Sequence, residues 1–220
     1  MNKFIATAIL SASTALAVGP ANAAVITKSP VLNSAWYTLA SPASGFGLDV
    51  FADSFIAPTT GTVTDLGTWL TSEWSAGPPI VFEILGDNGN APNGADILTK
   101  TAAHSYDTGL TMTYEDASPL TAATLVAGQE YWFAASTVGL VGSGYYGVAT
   151  HDQNSDGIID NGTFWYSNDP NGIIFNGGNM LPEISFSVTT SDVPVPEPST
   201  LALFSMALAG LGLARRRKRA

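Results

Sequence analysis

The stretch Asp152-Gln-Asn154-Ser-Asp156-Gly157-Ile-Ile-Asp160 comes nearest to a recognisable chemistry. Oxygen ligands at alternate positions, a glycine at the sixth place where the loop must turn sharply, and a carboxylate at the ninth are the opening of a calcium loop of the EF-hand kind. Asp152, Asn154, Asp156 and Asp160 would hold the ion, with a backbone carbonyl and waters completing about six to eight oxygens. The pattern then stops: the twelfth position is Thr163 instead of a bidentate carboxylate, and no helix is expected on either side. Ordinary hairpin loops share this Asp/Asn/Gly composition, so the two readings stand together. A second polar loop, with Asp87, Asn88, Asn90, Asn93 and Asp96, contains Pro92 and two Asn-Gly pairs and reads first as a long turn, second as a metal site.

Five tryptophans, at 36, 69, 74, 132 and 165, together with Tyr145 and Tyr146, are enough for a sugar-stacking surface. Trp74 is the candidate carbohydrate contact, because Ser72-Glu-Trp-Ser75 is polar and leads into Gly77-Pro78-Pro79, a loop setting that exposes the ring. Trp132 and Trp165 lie in apolar runs and belong to a core. The catalytic inventory is thin. There is no cysteine, no G-x-S-x-G elbow and no glycine-rich phosphate loop, and the imidazoles are His104, expected at an edge, and His151, beside the acidic loop. Both histidines read as structural before functional. Glu73, Glu83, Glu115, Glu130 and Glu183 supply carboxylates for a glycosidase, but the separation of roughly 5–9 Å that such chemistry needs is not written in a sequence. The expectation is a protein that is not an enzyme, with a polysaccharide-active hydrolase as the third reading.

The elements that must carry these residues are strands. Ile184, Phe186 and Val188 alternate with Glu183, Ser185 and Ser187, a period of two. Residues 130–136, 80–85 and 163–166 are short runs of β-branched and aromatic residues, and nothing between them sustains a helical period. Asn-Gly pairs beginning at Asn88, Asn93, Asn161, Asn171 and Asn176 suit tight reversals. The expected fold is all-β, a two-sheet antiparallel sandwich of jelly-roll type with eight to ten strands, over residues 24–188, followed by a linker at 189–194. With no cysteine, its stability rests on the hydrophobic core. Between residues 24 and 198 only Lys28 and Lys100 oppose all eighteen acids, a formal charge of −16. That balance repels nucleic acid and other polyanions and attracts divalent cations.

The two ends are addressing signals. Residues 1–23 form a signal peptide: Lys3, an apolar stretch, then the small-residue cleavage pattern Ala21-Asn22-Ala23. At the other end Val195-Pro196-Glu197-Pro198 precedes sixteen uncharged residues, Ser199–Ala214, and then Arg215-Arg-Arg-Lys-Arg219. As a helix the uncharged run spans about 24 Å, a short transmembrane helix once long cationic side chains reach the interface. The basic cluster stays cytoplasmic, leaving the domain on the far side of the inner membrane.

This tail, residues 195–220, resembles the PEP-CTERM sorting signal of Gram-negative bacteria, with Pro196, Glu197 and Pro198 as the sorting motif. The resemblance implies recognition by an exosortase, a membrane-embedded enzyme similar to cysteine proteases, transient anchoring in the inner membrane, and release to the cell surface or extracellular matrix. The two prolines hold the motif extended, as a protease requires. An anchor that is never cut is the alternative. The pieces Asp53-Ser-Phe55, Val63–Leu70, Phe82-Glu-Ile84, Asp87–Gly94, Leu125–Trp132 and Leu181–Phe186 are similar in order to the choice-of-anchor domains of exported proteins. That resemblance implies a sandwich and no defined activity. The leading expectation is an exported, non-enzymatic surface or matrix protein with a structural or adhesive role, stiffened by calcium; the alternative is a carbohydrate-binding module for exopolysaccharide.

Overall fold

Ile184, Phe186 and Val188 are completely buried, as their alternation requires, and the sheet they belong to is one of two. The computed structural model describes residues 23–30, 36–40, 48–72, 77–142, 144–151, 164–169, 171–176 and 183–192. Among these residues there is no helix, and none long and apolar enough to cross a membrane. The strands are β1 (Ala23–Lys28), β2 (Trp36–Ala40), β3 (Val50–Ile56), β4 (Gly61–Ser72), β5 (Val81–Asp87), β6 (Pro92–Lys100), β7 (Thr113–Ala117), β8 (Thr124–Leu125), β9 (Glu130–Ser136), β10 (Tyr145–His151), β11 (Phe164–Ser167), β12 (Glu183–Ile184) and β13 (Phe186–Asp192). These thirteen exceed the eight to ten expected; two of them, β8 and β12, have two residues each, too few to show a period.

Eight strands form one sheet in the order β1-β13-β4-β10-β12, with β2 added to β10 and β7 and β8 to β4; five form the other in the order β11-β3-β9-β5-β6. Every pairing between named strands is antiparallel. β13 carries the sheet beyond Val188, since Thr189–Asp192 pair with β4, and a bulge at Thr189/Thr190 absorbs the register shift.

The core between the sheets is aromatic. Phe133 and Phe186 stack at 5.0 Å and 9°, and Tyr37 and Phe164 at 4.7 Å and 10°. Strand alternation sends the intervening residues to the opposite face of the five-stranded sheet, where Val50, Ala52, Leu85, Trp132 and Ala134 make a second buried cluster with Trp165 and Phe175. Trp132 is therefore fully buried as expected, but on the outer side of its sheet.

A strap that includes residues 168, 169 and 171–176 leaves β11, reaches Gly94 of β6 and returns to β11, where Asn176 exchanges backbone hydrogen bonds with Tyr166. Asp169 holds it, accepting the backbone N–H groups of Ile173 at 3.0 Å and Ile174 at 3.1 Å. It docks on Gly94, where a Cβ would stand 2.8 Å from the Ile173 Cα.

Candidate functional site

The Asp87–Asp96 segment resolves into a hairpin with a cleft beside it. The turn is Asn88–Ala91, closed by the Asn88 N–H to the Ala91 carbonyl at 2.8 Å, with Gly89 and Asn90 at φ of 69° and 67°. The Asn-Gly pair at Asn93 lies inside β6 instead of in the turn, in register with Gly86. Asp87 is committed to structure: Oδ1 accepts from Asn90 N at 3.2 Å and from the buried Trp132 Nε1 at 3.0 Å, and Oδ2 from Gly89 N at 3.1 Å. A cleft of about 560 Å³ opens next to it, lined by Gly86, Asp87, Asp96, Gln129, Glu130 and Tyr131 among others. Among the described residues no three His, Asp or Glu side chains converge as metal ligands.

The described carboxylates and imidazoles proposed from sequence are scattered across separate environments. Glu183 accepts from Lys28 Nζ at 2.7 Å, and Asp53 accepts from the same ammonium at 3.0 Å, all three side chains sealed from solvent. The second oxygen of Asp53 accepts the Ile184 N–H at 3.0 Å, so this cluster ties β1 and β12 of one sheet to β3 of the other. Sequence reasoning missed it, because a lysine at the end of an edge strand reads as exposed. His151 is buried, with Nδ1 2.6 Å from the Ser29 carbonyl oxygen. His104 packs edge-on against Tyr106 at 4.7 Å. Glu83 is buried on the outer side of the five-stranded sheet, where desolvation pushes its carboxyl up to about 7 although Lys100 pulls the other way. Glu115 is raised by partial burial and by Asp116.

An aromatic site that the sequence did not single out lies on the outer face of the eight-stranded sheet. Asp65, Gly67 and Trp69 alternate along β4, and Tyr114 and Asp116 along β7. The register sets Trp69 opposite Tyr114 and Gly67 opposite Asp116. The two rings are 4.8 Å apart at 53°. Tyr114 lies over Gly67, where a Cβ would come within 2.6 Å of its hydroxyl oxygen. Burial and the neighbouring Asp116 push the Asp65 carboxyl up to about 6.

Asp152, Asn154, Asp156 and Asp160, Glu73 and Trp74, and the motif Pro196-Glu197-Pro198 lie outside the described residues, as do residues 1–22 of the signal peptide and the transmembrane segment, whereas Ala23 is the first residue of β1. Residues 194–218 match the PEP-CTERM protein-sorting motif. No curated protein matches the chain. The motif implies an exported protein sorted by exosortase, a membrane enzyme, with transient membrane anchoring before processing.

Proposed function

We propose that the chain is an exported, non-enzymatic protein of the cell surface or extracellular matrix, with a structural or adhesive role. The sorting motif at residues 194–218 carries this reading. The cargo it delivers is a choice-of-anchor-like sandwich. Support for a non-catalytic role comes from how the polar groups are spent: Asp53 and Glu183 neutralise Lys28, Asp87 orders a turn and Trp132, and the His151 Nδ1 lies against a backbone carbonyl. The loop containing Asp152, Asn154, Asp156 and Asp160 binds calcium in this reading, on the strength of its ligand spacing. Intact mass of the protein recovered from the cell surface tests the delivery. The expected mass lacks residues 1–23 and ends near Pro196–Pro198; a full-length tail on protein confined to the inner membrane would overturn it.

A second reading, recognition of exopolysaccharide, is favoured by one observation, the outward-facing pair Trp69 and Tyr114.

A further inference from the structure

We propose that the outer face of the eight-stranded sheet is a saccharide platform: Trp69 and Tyr114 stack on the apolar C–H face of a sugar, while Asp65 and Asp116 hydrogen-bond its hydroxyls. The proposal rests on the carbohydrate-recognition reading and gives it a site.

Tyr114 is 37% exposed and yet fixed. Its ring is braced by Trp69 and lies against the bare backbone of Gly67. A large ring already held in place loses little conformational freedom when a ligand stacks on it, which is the condition for useful affinity from a small contact. Beside the rings, Asp116 lies opposite Gly67 with Asp65 two residues along β4, so the two carboxyl groups offer acceptor oxygens to sugar hydroxyls and, when protonated, a donor. Sugar hydroxyls need both kinds of partner.

Charge selects the class of glycan. Lys28 is buried, leaving Lys100 as the exposed lysine among the described residues. The acids at the platform repel uronate, sulfate and phosphate groups. The ligand is therefore an uncharged polysaccharide.

The test is affinity electrophoresis of the exported protein through native gels containing a soluble β-glucan, a galactomannan, a xylan or, as polyanion, alginate. At least one uncharged polymer is expected to retard the protein, and alginate to leave it unretarded. Trp69→Ala and Tyr114→Ala should each weaken binding roughly tenfold, as loss of a stacked ring does, while Tyr114→Phe retains most of it. Cooperative thermal melts establish that each variant is folded, and the exposed Asp116→Asn gives a milder second probe, with weaker retardation expected. Retardation that is unchanged in both alanine variants overturns the platform and leaves carbohydrate recognition standing. Failure of every uncharged polymer to retard the protein overturns both, and equal retardation by alginate overturns the assigned glycan class.

Discussion

The Lys28 ammonium sits 2.7 Å from the Glu183 carboxylate in a site with no solvent access, and Asp53 approaches the same nitrogen from the opposite sheet at 3.0 Å. Breaking a buried ion cluster by removing one partner leaves charge stranded in a low dielectric. Lys28→Met should cost about 3–5 kcal/mol in urea unfolding. Adding Glu183→Leu and Asp53→Asn should recover most of that loss, because the amide oxygen can still accept the Ile184 N–H while the stranded charges are gone. A cost under about 1 kcal/mol for the single variant would contradict a sealed cluster.

Among the raised carboxyls, Glu83 and Asp65 move furthest. Glu83 moves from 4.5 to about 7 and Asp65 from 3.8 to about 6. In both, the folded state holds the proton more tightly than the unfolded chain, so their contribution is complete below the unfolded value and is lost as pH rises through the folded one. Stability should therefore fall between about pH 4.5 and 7, by ~2 kcal/mol for the buried Glu83 and less for the more exposed Asp65. Thermal melts of Glu83→Gln across that range should show a shallower slope and a higher melting temperature than the parent at pH 8; parallel curves would refute the assignment.

Asp169 works in the other direction. Backbone N–H donors from Ile174 and Ile173 hold its carboxyl below the ordinary 3.8. Its hold on the strap is present above that value and is lost as pH falls through the lower folded one. Asp169→Ala should accelerate hydrogen exchange at Ile173 and Ile174 at neutral pH while leaving the global melt within a few degrees; unchanged exchange would show that the strap does not depend on it.

The hairpin offers a local test of packing. Asp87→Ala takes the acceptor from the indole N–H of a fully buried tryptophan and from two turn amides. A loss of about 2 kcal/mol is expected, with a shift in Trp132 emission, and Asp87→Asn should lose less because its amide oxygen still accepts.

Calcium binding at Asp152, Asn154, Asp156 and Asp160 predicts a rise in melting temperature between excess chelator and millimolar calcium. At a hundredfold excess over Kd the stabilisation is about 2.7 kcal/mol, and Asp156→Ala should abolish it. An identical melt in both conditions would remove the proposal.

Much of the fold was legible because strand period and burial coincide. Ile184, Phe186 and Val188 point inward as their spacing dictates, and residues 130–136 are a strand throughout. What a linear pattern does not carry is which face an apolar residue joins once both faces of a sheet are covered, so Trp132 was placed in a core without its side being known. The Asn93-Gly94 pair looks like a turn but serves as the close-approach point for the strap, a demand imposed by a segment about eighty residues away in sequence. The Trp69–Tyr114 pair was hidden for the same reason. Each strand alone shows an ordinary alternation, and only the β4–β7 register places the rings together.

The first and last described strands of the domain are neighbours, Ala24 opposite Thr190, and β13 is zipped to β1 on one side and to β4 on the other. A domain tethered through its C-terminal tail receives any tension at β13. While the tail is anchored in the membrane, the two ladders of β13 must yield in shear before the sandwich opens, so the fold is clamped next to the segment through which it is held.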